Sequence, residues 1–294
     1  MALHRTFLFA PGNHARRVEK VFGVGADGVI LDLEDAVAIA EKPATRAVVV
    51  AAMQRPRSCL GYVRVNAMET EFCYGDLVAV VAPGVDGIIL PKVESAASLL
   101  AADWLIEQLE RERGLKRRSI DLLPIIETAR GLTDIDAILR AGSRVRRVAF
   151  GAGDFTLDTN ITWSRGEAEL LPARSAIVAS SRAAGLEAPM DSVWVDLQDP
   201  EGLEASARHV KGLGFQGKMC IHPGQVPIVN GVFTPTDAEV HFAERVVAAF
   251  ETAEAAGLAA IQLDGKFIDY PIVYRAQRVL KSRDAIIGRT APAR

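Results

Sequence analysis

Residues 121–154 read DLLPIIETARGLTDIDAILRAGSRVRRVAFGAGD: a short apolar run, an amphipathic stretch closing on Ala141-Gly142, and a second apolar run that ends on an acid. In both runs Leu, Ile, Val and Phe follow one another without strict polar alternation, the pattern of strands buried on both faces in a parallel sheet. Parallel neighbours need a crossover of about a dozen residues or more, and the stretch between them has the length and periodicity of a crossover helix. Each run stops on a carboxylate, Glu127 and Asp154.

The same unit repeats along the chain. Strand-like runs stand at RTFLFAP (5–11), GVILDLED (28–35), CLGYVRVN (59–66), GIILPKVE (87–94), DSVWVDL (191–197) and FQGKMCIHP (215–223) besides the two above. Helical patterns such as EKPATRAVVVAAMQ and ESAASLLAADWLIEQLERERG lie between them. Eight alternations predict an α/β chain folded as a (β/α)8 TIM barrel over residues 1–232 rather than an open doubly wound sheet. No glycine-rich dinucleotide fingerprint follows the first run, where a Rossmann domain needs one. Beyond it, Thr234-Pro235-Thr236-Asp237 opens an Ala- and Glu-rich helix ending near Gly257, followed by IQLDGKFIDYP and a last helix from about Pro271 to Asp284. Residues 233–294 therefore read as a C-terminal helical extension, with a glycine turn carrying Asp264 and Asp269, that caps the barrel or reaches a neighbour.

Composition narrows the function. The 294 residues are 49% hydrophobic and 24% charged with a formal charge of -3, which argues against a nucleic-acid or membrane-surface partner, since either favours a broad basic excess. Cys59, Cys73 and Cys220 are scattered and read as reduced thiols. The apolar run of MALHRTFLFAPG is too short for a signal or a membrane span, so a soluble cytoplasmic chain is expected. Neither a Gly-x-Ser-x-Gly elbow nor a Walker loop is present.

Polar residues collect where the strand-like runs end: Asn13, then Asp32, Glu34 and Asp35, then Arg64 and Asn66, Lys92 and Glu94, Glu127, Asp154, and Lys218 with His222. In a barrel these ends share one face, where active sites are built. Glu127 and Asp154 on neighbouring strands suit a hard divalent cation such as Mg2+, or each caps the helix that follows. Arg64 is either a bidentate clamp for a substrate carboxylate or the structural partner of Asp32, Glu34 or Asp35. Lys92 or Lys218 could serve Schiff-base chemistry, while His222, alone before Pro223, reads as structural. In 155–172, Trp163 either lines a pocket or packs under the loop.

Taken in order, FLFAPGN, LDLEDAV, VRVN, LPKVE, PIIETARG, FGAGDF, GKMCIHPGQV and DGKFIDYP resemble the citrate lyase beta-subunit-like family of the HpcH/HpaI aldolase superfamily, which includes malyl-CoA and citramalyl-CoA lyases. The resemblance implies that Glu127 and Asp154 bind Mg2+, that Arg64 holds the carboxylate of the keto-acid part, and that Asp32, Glu34 and Asp35 order metal-bound waters. Lys92, Pro11 and Asn13 would contact the thioester side. Asp269 would be the catalytic acid/base, supplied by a neighbouring subunit of a homotrimer or homohexamer. The implied activity is cleavage or formation of a 3-hydroxyacyl-CoA thioester such as malyl-CoA or citramalyl-CoA, giving a keto acid and an acyl-CoA. Its alternatives are a citryl thioester on an acyl carrier protein, or thioester hydrolysis. Because citrate lyase beta subunits tend to lack the extension, the motif around Asp269 favours a stand-alone CoA enzyme.

Overall fold

The computed structural model describes residues 4–290. It divides into two compact units, His4–Asn230 and Gly231 onward. In the first, β1 (Thr6–Pro11), β2 (Gly28–Asp32), β3 (Leu60–Arg64), β4 (Gly87–Leu90), β5 (Asp121–Ile126), β6 (Ala149–Phe150), β7 (Met190–Asp191) and β8 (Gly217–Cys220) close into a barrel in sequence order. Every pairing is parallel, β8 with β1 included. The expected (β/α)8 barrel is thus the fold.

Alternation along each strand splits its apolar residues between the lumen and the surrounding helices. Phe7, Ile30, Tyr62, Ile89, Leu123, Ile125, Ala149, Met190 and Met219 form one buried cluster drawn from all eight strands, so the lumen is a packed core. Two large rings are admitted by glycines in register on the next strand. A Cβ on Gly28 would lie 1.9 Å from the Phe7 ring, and one on Gly87 would lie 2.2 Å from the Tyr62 ring. The rings meet edge to face at 4.8 Å.

The N-terminal floor of the barrel is tied by paired charge. Arg144 bonds Asp103 at 2.5 Å and Glu110 at 2.8 Å, and Arg147 bonds Asp121 at 2.9 Å and Glu187 at 2.6 Å. Lys218 does not reach the mouth. Its neighbour Met219 takes the lumen, and the ammonium lies fully buried against Asp191 at 2.5 Å, with Arg174 on the other carboxylate oxygen at 2.8 Å. A lysine so paired is structural, which removes it as a Schiff-base candidate.

The run 147–154 is not one strand. After the two residues of β6 the chain turns at Gly151 into the helix Ala152–Asp158, so Asp154 sits in the first turn of a helix rather than at a strand end. Likewise only Met190–Asp191 of the seventh run pairs as strand.

In the second unit the helix Asp237–Ala255 begins with a capping box, Thr236 and Glu239 bonding each other's backbone N–H. The segment expected to be a turn between helices is a β-hairpin, β9 (Ala260–Leu263) against β10 (Lys266–Asp269). Asp264 and Gly265 both take positive φ, 50° and 75°, as a two-residue type I′ turn requires. A helix Tyr270–Thr290 follows, and Val246, Phe250, Ile268 and Val273 make the unit's core.

Candidate active site at the barrel mouth

The C-terminal end of β2 begins the site. Asp32, 1% exposed, uses both oxygens twice. Oδ1 accepts the Glu34 N–H at 2.9 Å and Oδ2 the Ala36 N–H at 3.0 Å, which fixes the turn after the strand. The same oxygens take Arg64 Nε at 2.7 Å and Nη2 at 2.6 Å, a bidentate pair. Arg64 Nη1 stands 2.9 Å from Glu34 and 3.5 Å from Asp35. Burial alone would lower the pKa of Arg64, but the charge and hydrogen bonds of Asp32 outweigh it and keep the guanidinium charged. Asp32 is correspondingly lowered: burial pushes up, and Arg64 with the two backbone donors pushes down harder.

Lys92 links this half of the mouth to the other. It takes a left-handed φ of 50°, uncommon for a side chain of its size. In that conformation its backbone N–H donates to Glu127 Oε1 at 2.8 Å, while Nζ lies 2.6 Å from Glu34 Oε1 and 3.4 Å from Asp154 Oδ1. Glu127 follows β5 directly and is 2% exposed. It caps nothing, because Thr128 caps the helix behind it. Its carboxylate fits only because residue 151 is glycine: a Cβ there would lie 2.3 Å from Glu127 Oε2. Gly153, the other glycine of the motif, meets nothing within 4 Å. Ser192 Oγ accepts the Ala152 N–H at 2.8 Å and so anchors the turn that presents Asp154.

Five carboxylates, Asp32, Glu34, Asp35, Glu127 and Asp154, thus face two cations, Arg64 and Lys92. The imbalance falls on Glu127. Burial, then the charges of Asp154 and Glu34, push it up to about 8. Glu34 is also raised, burial outweighing Arg64 and Lys92. A buried acid held neutral by its anionic neighbours is a place where an added cation is strongly favoured. The donor set is all oxygen, which suits a hard divalent ion. Among the described residues no group of three or more His, Cys, Asp or Glu stands at metal-holding spacing.

A barrel whose mouth carries this acid cluster matches one family model, HpcH/HpaI aldolase/citrate lyase, over residues 5–223. The chain belongs to that family. It is 39% identical to citrate lyase subunit beta of Leuconostoc mesenteroides subsp. cremoris over 285 residues, covering 96% of this chain and 94% of that protein. It is 34% identical to the L-malyl-CoA/beta-methylmalyl-CoA lyase of Rhodobacter capsulatus over 304 residues, covering 96% and 95%. The protein CitE of Mycobacterium tuberculosis, solved in complex with magnesium, acetoacetate and coenzyme A, superposes with a TM-score of 0.78 at 30% identity, covering 96% of this chain and 99% of that one. As a member of the HpcH/HpaI aldolase/citrate lyase family the chain is a carbon–carbon lyase.

The family match corrects one inference from sequence. Citrate lyase beta subunits align across 96% of the chain, so the C-terminal extension does not separate them from CoA lyases. Of the other expected residues, Pro11 and Asn13 line a groove of about 830 Å³ at the ends of β1 and β8, with Arg16, Arg17, Lys20 and His222. Asn13 Nδ2 donates to Glu41 at 2.6 Å. Trp163 and Trp194 line a smaller cavity of about 220 Å³, and Trp163 Nε1 bonds Glu167 at 3.3 Å. Asp269 closes β10 in the second unit, where its Oδ1 accepts the Ile272 N–H at 3.3 Å. Sequence reasoning missed Lys42, which lies under the β2 turn. As the first residue of an amphipathic helix it reads as solvated.

Proposed function

We propose that the chain is a magnesium-dependent lyase that cleaves a 3-hydroxyacyl-CoA thioester of the malyl-CoA or citramalyl-CoA type to a keto acid and an acyl-CoA, or runs the reverse condensation. The observation that carries the reading is the buried Glu127 carboxylate, held up to about 8 by burial and its acidic neighbours and opposed by too few cations. Glu127 and Asp154 would hold the ion, with Asp32, Glu34 and Asp35 ordering its waters. Bound Mg2+ would supply Lewis-acid polarisation of the substrate's hydroxyl and carboxylate oxygens.

The chain's own residues do the rest. Arg64, braced against Asp32, receives the substrate carboxylate through Nη1, displacing Glu34 or Asp35. Lys92, 31% exposed, lies beside it to compensate charge on the thioester side, with Pro11 and Asn13 at the groove wall. Cleavage passes the hydroxyl proton to a carboxylate of the mouth, breaks the bond between carbons 2 and 3 to give the keto acid, and leaves an enolate that must be protonated on carbon. Asp269, reaching the mouth from a neighbouring copy in a homotrimer or homohexamer, donates that proton, and in condensation removes it. The basic side chains Arg16, Arg17 and Lys20 support CoA as the acyl carrier, since they line a groove large enough for part of a nucleotide and carry the charge its phosphates need.

One specific observation favours a second reading: identity to citrate lyase beta subunits, 39%, exceeds that to malyl-CoA lyases, 34%. The thioester would then sit on an acyl carrier protein. Purified chain assayed against malyl-CoA, citramalyl-CoA and a citryl carrier-protein thioester, with and without a chelator, decides. Magnesium-dependent release of acetyl-CoA is expected. Free CoA as the first product would identify a hydrolase, and activity on the carrier alone would move the chain to the second reading. Mixing Asp269→Ala with Glu127→Gln protein should restore turnover that neither shows alone, because mixed oligomers contain intact composite sites; failure to complement would retire the shared-site role.

A further inference from the structure

We infer that Lys42 is a positioning residue for the barrel mouth. It holds the main chain of the β2 turn from beneath so that Glu34 can brace Lys92 and Arg64, and it touches none of the reacting groups. The inference deepens the lyase reading and rests on it for its kinetic arm alone.

Lys42 opens the helix Lys42–Met53 and is buried. Its ammonium has three protons, and three acceptors receive them: the Leu33 carbonyl at 3.0 Å, the Glu34 carbonyl at 2.6 Å and Asn66 Oδ1 at 2.7 Å. The ring of Phe72 lies 5.8 Å away on another side. Asn66 is itself fixed, its Nδ2 donating to the Leu33 carbonyl at 3.0 Å and to Asp76 at 2.6 Å, while Arg46 holds Asp76 at 2.8 Å. The turn is therefore gripped from both sides. Asp32 takes the N–H groups of Glu34 and Ala36, and Lys42 takes the carbonyls of Leu33 and Glu34.

A purely structural anchor does not explain the choice of residue. Among the described residues Lys42 meets no carboxylate at ion-pair distance, and a buried cation without one is expensive to keep. The route to the chemistry is short: Lys42 sets the Glu34 backbone, and the Glu34 carboxylate bonds Lys92 at 2.6 Å and Arg64 at 2.9 Å. Lys92 in turn holds Glu127.

Hydrogen exchange on full-length protein tests the geometry. Lys42→Met should speed exchange of the Glu34 and Ala36 amides about tenfold or more, with the segment around Arg144 unchanged. Unchanged exchange at Glu34 overturns the inference, whatever the substrate proves to be. A double-mutant cycle tests the consequence: Lys42→Met should lower kcat/KM about tenfold or more, chiefly through kcat, yet add less than about twofold once Glu34→Gln is present. Losses that multiply in full overturn it too. Lys42→Gln, which keeps a donor without the charge, carries both measurements should Lys42→Met not fold. A wild-type enzyme that cleaves no thioester would defeat the lyase reading while the exchange result still decides the role of Lys42.

Discussion

The floor and the mouth of the barrel both bury charge, and they do so to opposite ends. At the floor Arg144 faces Asp103 and Glu110, and Arg147 faces Asp121 and Glu187, each guanidinium divided between two acids at hydrogen-bond distance. Behind the wall the ratio is inverted, Arg174 and Lys218 both holding Asp191. At the mouth the cations are too few, one acid is forced up to about 8, and a lysine is bent into a left-handed backbone to serve as a link. Satisfied pairs resist change because breaking one strands a buried charge. Unsatisfied acids are poised to accept a cation. Where each buried acid is hydrogen-bonded to a guanidinium the barrel is being held together; where a buried acid such as Glu127 has only a backbone N–H, something is meant to bind.

The sharpest way to break this contrast is to remove acid at the mouth. Glu127→Gln or Asp154→Asn should cut magnesium-dependent turnover by about 10³-fold, with calorimetry showing weakened Mg2+ binding and an intact melting transition. Loss of fold instead of function would show the mouth acids to be as structural as those at the floor. Arg144→Met should do the reverse: urea denaturation should show a loss of about 3–5 kcal/mol, because Asp103 and Glu110 are left buried without a counter-charge, while kcat of the folded fraction is kept.

A smaller effect sharpens the comparison through pH. The folded-state value of Glu127 lies near 8, against 4.5 for an ordinary glutamate. Between those values the folded protein binds a proton that the unfolded chain has released. Stability without metal therefore falls as pH rises from about 4.5 to about 8 and levels off above it. Mg2+ bound at Glu127 would displace that proton and remove the repulsion, so it should raise Tm by more at pH 8 than at pH 6. Glu127→Gln should abolish the difference, whereas Arg144→Met should leave it in place. The least of these effects belongs to Gly151→Ala, which should weaken Mg2+ binding by crowding Glu127 while Gly153→Ala leaves it unchanged.

How much of this was legible in sequence depends on what kind of signal each residue sends. The barrel could be read because its strands, buried on both faces, are long apolar runs. Glu127 could be placed at the mouth because it directly ends such a run, whereas the choice between holding an ion and capping the next helix waited for Thr128, which takes the cap. Asp154 was placed on a strand because Gly151 and Gly153 give no helical signal, although the helix starts between them. Lys218 was grouped with the mouth because run boundaries do not reveal the parity of a strand, and Met219 rather than Lys218 has the inward position. Asp264-Gly265 between alternating residues is a strong signal for the β9–β10 hairpin, but the helical patterns on either side of it mask the two short strands. Lys42 sent no signal at all. Its value lies in three acceptors that meet only after β2, the Asn66 loop and the helix have come together.

The rings of Phe7 and Tyr62, seated on Gly28 and Gly87, leave the barrel with one door. Whatever enters at the mouth must leave there, since the lumen below is solid side chain. For a reaction that splits one molecule into two, both fragments share that single exit. That shared doorway is a property of the plug, settled by the two glycines that make room for its rings.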